Sequence, residues 1–212
     1  MCIDCDVGLR NLDISLGLPE SGGLSFLDVC QGGYALSQAV RHPDYQSLFF
    51  LTAPMNFPVE NIPQEDFQRM LLQARQEYAY IFLDAPAGVD AGFRLTAAAA
   101  DRIVLITGPG PAAMRDAVHV GELLELMGKT DVRLIVNRVD RDMLSTVRLT
   151  VDDIMDCTGL PLEGIVLEDP HVTLAAAFGQ PLLRYARRCT AAGCFRRIAK
   201  RLQGYRQRIP WK

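Results

Sequence analysis

The sequence predicts an α/β fold, a mostly parallel and doubly wound sheet with helices on both faces. Short continuous apolar runs, typical of strands in parallel sheets, alternate along the chain with longer segments of helical periodicity. A chain of 212 residues, 49% of them hydrophobic and 22% charged, is long enough to bury a large core. No repeat or linker interrupts the alternation, so we expect a single domain over residues 1–212.

Six apolar runs are predicted to be strands. The run that best fits a strand buried on both faces ends at Asp84 and continues into Ala-Pro-Ala-Gly. Open α/β folds bind ligands at the carboxyl ends of their parallel strands, so the residues that follow each run are functional candidates. The predicted strands cover residues 2–6, 47–53, 80–84, 102–107, 132–136 and 162–167.

Capping and helix-breaking residues delimit the predicted helices. Pro63 and Pro111 have the character of first-turn prolines, and Gly128 follows the last turn of the second of these helices. Thr150 and Asp153 have the spacing of a capping box. Helices are predicted over residues 25–31, 35–40, 63–77, 91–100, 111–127 and 150–158, over an Ala-rich segment after residue 170, and over the basic C-terminal segment 187–212.

The N-terminus and the cysteines indicate a cytoplasmic protein. No apolar run reaches the roughly 18 residues needed to span a bilayer, and Met1 is followed by no signal peptide. The six cysteines are therefore expected to be reduced thiols. Cys2 and Cys5 point to opposite faces of a strand, which argues against a zinc site shared with Cys189 and Cys194.

Charge is divided unevenly along the chain. Residues 1–169 carry 12 basic and 25 acidic groups, whereas residues 170–212 carry 10 basic groups and no acidic one. The tail fits either a helix that docks on the domain or one that lies on an anionic membrane with Trp211 at the interface. Docking is favoured for 192–203, and residues 205–212 are at best a short membrane contact. The apolar stripe of this tail consists of Phe195, Ile198, Leu202, Tyr205 and Ile209.

Five motifs, in this order and spacing, resemble the ParA/MinD family of deviant-Walker P-loop ATPases. The first contains Gly-Leu-Arg-Asn-Leu-Asp and is the most specific, and the resemblance covers essentially the whole chain. The motifs are Ile3–Asp13, Leu83–Gly88, Arg115–Ala117, Val136–Arg138 and Glu168–Asp169.

The resemblance implies roles for residues in four of these motifs. Asp6 would be a catalytic acid that orients Mg²⁺ or the attacking water, and Asp84 would be the second catalytic acid and metal ligand. Two acids at neighbouring strand ends can share one hydrated cation, and phosphoryl transfer depends mainly on positioning and charge neutralisation. The nucleotide-binding residues implied by the family are Asp4, Gly8, Gly88, Asn137, Arg138 and Asp169.

The resemblance also implies cofactors and partners. ATP and Mg²⁺ are the expected cofactors, and the expected function is the ATP-dependent placement of the cell division septum. Family members form homodimers around ATP, bind partner proteins of the septum-placing system and associate with the inner face of the cell membrane. Nucleic acid is not an expected partner.

One feature of the family does not occur in the 212 residues, namely the Lys-Gly-Gly-x-Gly-Lys-Thr loop that holds the phosphates. The only Gly-Lys-Thr, at residues 128–130, follows a helix and fits a helix C-cap. We therefore expect a shortened gene product or a degenerate ATPase, with an open slot in its sheet and no ATP turnover. The alternative is a non-hydrolysing interaction module.

A weaker pattern indicates a dinucleotide-binding protein as a further alternative. Gly108–Ala113 fits G-x-G-x-x-A between a strand and a helix. Pro109 and Pro111 remove N–H groups from the loop that would meet a pyrophosphate, so an ordinary strand–helix turn is favoured.

Overall fold

The computed structural model describes residues 1–18 and 23–209, and it confirms the α/β fold with mostly parallel sheets. The chain divides into two compact units, Met1–Ala100 and Asp101–Lys212, which we call the N-terminal and the C-terminal unit. Each unit has its own sheet and its own hydrophobic core. That the whole chain behaves as one domain remains a prediction.

The N-terminal unit contains a four-stranded sheet in the order β2-β3-β1-β4. Strands β1, β3 and β4 are parallel, and β2 pairs with β3 in the antiparallel direction. The strands are β1 (Cys2–Asp4), β2 (Val40–Arg41), β3 (Phe49–Leu51) and β4 (Phe82–Asp84). The α-helices are α1 (Leu12–Leu16), α2 (Phe26–Cys30), α3 (Gln64–Glu77) and α4 (Ala91–Ala99), and short 3₁₀ turns cover Leu36–Gln38 and Val59–Asn61.

Helix α3 packs its apolar face on the core of the N-terminal unit. The predicted face is confirmed, because Phe67, Met70, Leu71 and Ala74 are all buried. Phe67 meets Phe26 of α2 edge-on, with ring centroids 5.5 Å apart. Burying side chains of this size stabilises the fold by about 1.5–3 kcal/mol each, which fixes both helices against the sheet.

The C-terminal unit contains a three-stranded parallel sheet with β6 in the middle. Its strands are β5 (Ile103–Thr107), β6 (Val132–Val139) and β7 (Leu162–Leu167). Its helices are α5 (Pro111–Leu126), α6 (Arg141–Val147), α7 (Val151–Thr158), α8 (Pro170–Ala177), α9 (Leu182–Tyr185) and α10 (Thr190–Leu202).

Both faces of this second sheet are covered. Leu134 and Val136 of β6 point to one face and pack with Ile154 of α7, whereas Ile135 points to the other face and packs with Ile198 of α10. Alternation of side chains along a strand produces this division. The sheet is therefore doubly wound, as the sequence predicts.

Helix α10 docks on β7 by way of a glycine. A Cβ atom on Gly164 would lie 2.5 Å from the Ile198 side chain, so only glycine permits this approach. Ile198 is buried, and Leu202 packs against the same cluster. The docking predicted for 192–203 is confirmed, although the helix itself covers Thr190–Leu202 rather than the whole of 187–212. Trp211 lies outside the described residues.

Strand β4 corrects one prediction. The sequence predicts a strand buried on both faces, but Phe82 is 53% exposed and Asp84 is also exposed. The reason is that β4 is an edge strand, which pairs only with β1 within the described residues. Strand β5 is likewise at the edge of its own sheet, and its Ile106 is 61% exposed.

Several local predictions change in extent. The helix predicted over 35–40 is a 3₁₀ turn followed by β2, because the strand pairing with β3 takes Val40 and Arg41. Helices α1 and α6, which are short, are not predicted from the sequence. The capping box of Thr150 and Asp153 is confirmed at the start of α7.

The Gly-Lys-Thr at 128–130 is confirmed as a helix C-cap. Gly128 has φ +74°, and its N–H donates to the Glu125 carbonyl at 2.8 Å. The Lys129 N–H donates to the Leu124 carbonyl at 2.9 Å, which completes the pattern that ends α5.

Candidate functional site

Two acids occupy paired positions on neighbouring strands of the N-terminal unit. Asp4 of β1 lies directly across from Asp84 of β4 in the parallel register, and the Cys5 N–H donates to the Asp84 carbonyl at 3.0 Å. Neighbouring strands lie about 4.8 Å apart, and paired residues of parallel strands point to the same face. The carboxyl edge of this sheet therefore collects two acidic side chains.

Asp4 organises the loop that follows β1. It is fully buried, and its Oδ1 accepts the Asp6 N–H at 3.0 Å while its Oδ2 accepts the Leu12 N–H at 3.2 Å. The two bonds hold both ends of residues 6–11, which we call the switch loop. A buried carboxylate that accepts backbone N–H groups is well suited to fixing loop geometry.

Asp6 begins the switch loop and closes a tight turn. Its Oδ1 accepts the N–H groups of Gly8 at 3.0 Å and Leu9 at 3.1 Å. Arg10 has φ +48°, and its Nε donates to Thr52 Oγ1 at 2.6 Å just beyond β3. The loop is thus fastened to two strand ends, and the strained backbone at Arg10 is held by a side-chain bond.

The surroundings of Asp4 and Asp84 raise the pKa of both carboxyl groups. Partial burial raises the pKa of Asp84, and the negative charges of Asp4 and Asp6 raise it further. Burial also raises the pKa of Asp4, against the opposing hydrogen bonds from the Asp6 and Leu12 N–H groups. Mutually destabilised carboxylates at one strand edge suit a hard divalent cation, whose preferred ligands are oxygens. The residues present therefore fit Mg²⁺.

A second loop leads from β4 into α4. Gly88 has φ +95°, and the Asp90 carboxylate caps α4 by accepting the Gly92 N–H at 3.1 Å. A Cβ atom on Gly92 would lie 2.7 Å from the Pro86 ring, so the helix start packs closely against this loop. The conformation of the loop between β4 and α4 therefore depends on Gly88, on Gly92 and on the cap formed by Asp90.

In the C-terminal unit, predicted nucleotide-binding residues gather where β6 and β7 end. Arg138 has φ +57°, and its Nε lies 3.0 Å from Glu168 Oε2. The Asn137 Oδ1 accepts the Arg138 N–H at 2.9 Å, and the Glu168 N–H donates to the Val139 carbonyl at 3.0 Å. Side chains of Arg138 and Glu168 are well exposed and available to a ligand.

Asp169, in the same turn, is buried and caps two helices. It is 6% exposed, its Oδ1 accepts the His171 N–H at 3.0 Å, and its Oδ2 accepts the Ala191 N–H at 3.0 Å. Burial alone would raise the pKa of Asp169, but the hydrogen bonds from Ala191, His171 and Cys189 outweigh it and hold this pKa well below the usual range. Its carboxylate joins the starts of α8 and α10.

The structure brings the predicted residues together within each unit. Asp4, Asp6, Gly8 and Asp84 meet in the N-terminal unit, and Asn137, Arg138 and Asp169 lie at two adjoining strand ends of the C-terminal unit. The sequence does not predict the hydrogen bond between Arg10 and Thr52, because 42 residues separate them and no motif links the two. It also misses the link between Asp169 and the start of α10.

Known proteins with similar sequences share one name. The chain is 35% identical over 211 residues to the septum site-determining protein MinD of Synechocystis, an alignment that covers 99% of this chain and 79% of that protein. It is 36% identical over 205 residues to the corresponding putative MinD of Nephroselmis olivacea, covering 95% and 75%. No protein-family model matches the chain.

Solved structures of MinD proteins are also similar to this chain. MinD in the MinC:MinD complex of Aquifex aeolicus superposes with a TM-score of 0.87 at 31% identity, covering 100% of this chain and 85% of that one. MinD of Pyrococcus horikoshii in complex with Mg-ADP gives a TM-score of 0.81 at 22% identity, covering 95% and 82%, which shows a shared fold. From identity above 30% over most of both chains, it follows that this chain belongs to the MinD family of septum site-determining proteins.

Proposed function

We propose that the chain is a nucleotide-dependent regulator of septum placement, in which the acids at the β1 and β4 ends hold Mg²⁺. The observation that carries the proposal is the register pair of Asp4 and Asp84, with Asp6 beside them in the switch loop. This arrangement lies in a chain whose relatives are named for septum site determination. In the proposal, Asp6 and Asp84 are the metal ligands, and Asp4 positions the loop that carries Asp6.

Asn137 and Arg138 are proposed to contact the adenine base, with the backbone of the Asp169 turn beside it, because the buried Asp169 carboxylate faces the starts of α8 and α10. Gly8 and Gly88 are proposed to let backbone approach the phosphates. Asp6 and Asp84 would hold Mg²⁺, whose positive charge would offset that of the phosphates. The Mg-ADP complex of a MinD with this fold supports the choice of ligand.

The 212 residues contain no Lys-bearing phosphate loop, so we expect no ATP turnover by this chain alone. The same observation favours a second candidate, a non-hydrolysing module that keeps the surfaces of a MinD for its partners. The two candidates make different predictions for septum placement in the cell. It depends on Asp6 and Asp84 in the first candidate and not in the second.

Partner binding is proposed by comparison. An Aquifex aeolicus MinD was solved in complex with MinC, and we infer that a MinC-like protein is a partner of this chain. We also propose a homodimer in the nucleotide-bound state, since two nucleotide sites facing each other would shield the phosphates from water.

Membrane association is proposed for the tail beyond α10. None of the helices in residues 1–18 and 23–209 has the length and apolar character needed to cross a bilayer. Tyr205 is 63% exposed and precedes Arg206 and Arg208, which suits a surface contact with anionic lipid. Ile209, by contrast, packs against the core of the C-terminal unit. The contact would therefore be peripheral and would depend on charge.

The proposal can be tested in Synechocystis cells that lack their own MinD. The cells would express this chain or its Asp84→Ala variant, and septa would be located by microscopy. We expect the unmodified chain to shift septum positions toward normal and the variant to fail. Equal activity of the variant would support the non-hydrolysing module, and no shift with either chain at confirmed expression would contradict both functions.

A further inference from the structure

Three side chains of different metal-ligand types meet in the C-terminal unit. Asp169 precedes α8, His171 lies in the first turn of α8, and Cys189 precedes α10. One ligand atom of each lies within 4.8 Å of the other two, and His171 Nδ1 is 2.7 Å from Asp169 Oδ1. We propose that these residues form a binding site for a divalent transition-metal ion of the zinc type.

The spacing of the three ligand atoms suits a tetrahedral ion. Zinc bonds of about 2.0–2.3 Å place the ligand atoms of a tetrahedral site roughly 3.3–3.8 Å apart. The three ligand atoms lie within 4.8 Å of one another, so changes of about 1 Å in their separations, which side-chain rotations can supply, would reach this spacing.

Backbone hydrogen bonds already orient the central ligand. The Asp169 carboxylate accepts one N–H on each oxygen, from His171 and from Ala191, both at 3.0 Å. An ionised carboxylate has about four lone-pair sites, and the other two take the His171 Nδ1–H and the Cys189 thiol, so a bound ion would replace these two contacts. Hydrogen bonds that hold a ligand in place are a regular part of metal sites and strengthen binding.

The donor set indicates which ion would bind. A thiolate, an imidazole and a carboxylate suit Zn²⁺ and its neighbours, whereas Mg²⁺ and Ca²⁺ take oxygen ligands. Three protein ligands leave a fourth position, and the side chain of His171 is 48% exposed, so water can occupy it. Binding through Nδ1 would leave the neutral His171 ring protonated on Nε2, form a metal–sulfur bond and release the Cys189 thiol proton to solvent.

Helix capping explains part of this cluster but not its composition. Cys189 Sγ accepts the Ala192 N–H at 3.4 Å and caps α10, a position for which Ser, Thr, Asp and Asn are strongly preferred. Asp169 already supplies a second acceptor for the same helix end. Capping needs neither a thiol nor an imidazole, whereas both are common ligands of zinc-type ions.

Cobalt titration of the metal-free 212-residue protein tests the site. Co²⁺ bound by a thiolate gives a charge-transfer band, and tetrahedral coordination gives intense visible bands. We expect both bands to saturate at one equivalent and to disappear when Zn²⁺ is added. Cys189→Ser should abolish the charge-transfer band, and His171→Ala should weaken Co²⁺ binding by at least about tenfold.

A matched control separates this site from other thiols. Cys157→Ser removes the exposed cysteine of α7 and should leave the bands unchanged. Serine is a good N-cap, so Cys189→Ser should keep its helical circular dichroism, and Zn²⁺ should raise the melting temperature of the unmodified protein but not of this variant. The proposal is overturned if the unmodified protein shows no charge-transfer band, or if the band survives in Cys189→Ser.

Discussion

Asp4 and Asp84 face the same side of their sheet from paired positions on β1 and β4. The sequence singles out Asp6 as the partner of Asp84, but the strand register places Asp4 directly across from it. Asp6 follows in a loop that the buried Asp4 carboxylate holds by two backbone bonds. The three acids therefore differ in their surroundings. The buried Asp4 orders the switch loop, whereas Asp6 and Asp84 remain accessible to a cation.

Replacing Asp84 with Asn should stabilise the protein in the absence of Mg²⁺. Desolvation of its carboxyl group and the charges of Asp4 and Asp6 raise the pKa of Asp84, so its ionisation at neutral pH destabilises the folded state relative to the unfolded state. Because the residue is exposed, we expect only a small rise in melting temperature, about 1–2 °C. Thermal unfolding followed by circular dichroism measures it. Asp116→Asn, at an exposed position of α5, should change little, and a lower melting temperature for Asp84→Asn would contradict this reasoning.

Replacing Asp4 with Asn should destabilise the protein. An amide can accept from one of the two N–H groups, Asp6 or Leu12, but presents its own NH₂ to the other. Leaving a buried donor without an acceptor costs about 1–3 kcal/mol. Urea unfolding measures the loss, and Asp6→Asn, at a partly exposed position, is the control that should cost less. Equal losses for the two variants would show that Asp4 does not order the switch loop.

Replacing Gly164 with Ala should loosen the docking of α10. The new Cβ would lie 2.5 Å from Ile198, and overpacking of this kind costs about 1–3 kcal/mol. The matched control is Gly121→Ala inside α5, where the nearest atom is 3.9 Å away and helix propensity favours alanine by up to about 1 kcal/mol. Urea unfolding should therefore give opposite signs for the two variants. A neutral Gly164→Ala would mean that α10 does not pack as described.

The ion-pair cluster around Asp131 should give stability that depends on pH. Hydrogen bonds from Arg133 and Arg102, at 2.8 and 2.7 Å, hold the pKa of Asp131 below its usual value. A depressed pKa stabilises the fold above the unfolded value of about 3.9 and loses this effect as pH falls through the folded value. All three side chains are partly exposed, so Asp131→Asn should cost at most about 1 kcal/mol at pH 7. The difference from the unmodified protein should shrink below about pH 4, and a constant difference would contradict this prediction.

Local signals in the sequence predict much of the fold. Pro63, Pro111, Thr150 and Gly128 delimit helices as expected, because caps and breakers act within a few residues. The exposure of β4 is not predicted, because an apolar run does not reveal whether a strand lies inside a sheet or at its edge. The position of a strand in a sheet depends on pairing between distant segments. Within the described residues, β4 pairs with a strand on one side only.

The candidate site is predictable in its residues but not in its geometry. The motif resemblance identifies Asp4, Asp6 and Asp84, yet only the register shows which two lie opposite each other. The cluster of Asp169 with Cys189 depends on the fold of the 19 intervening residues, which carry no metal-binding spacing. Such contacts between distant segments come from tertiary packing and leave no periodic or spacing signal.

The most direct test of the cation site is manganese binding followed by electron paramagnetic resonance. Mn²⁺ prefers carboxylate oxygens and can replace Mg²⁺, and its free signal falls as it binds. We predict that the 212-residue protein binds one Mn²⁺ competitively with Mg²⁺, that Asp84→Asn and Asp6→Asn each abolish this binding, and that Asp116→Asn retains it. Unchanged Mn²⁺ binding by Asp84→Asn would contradict the account.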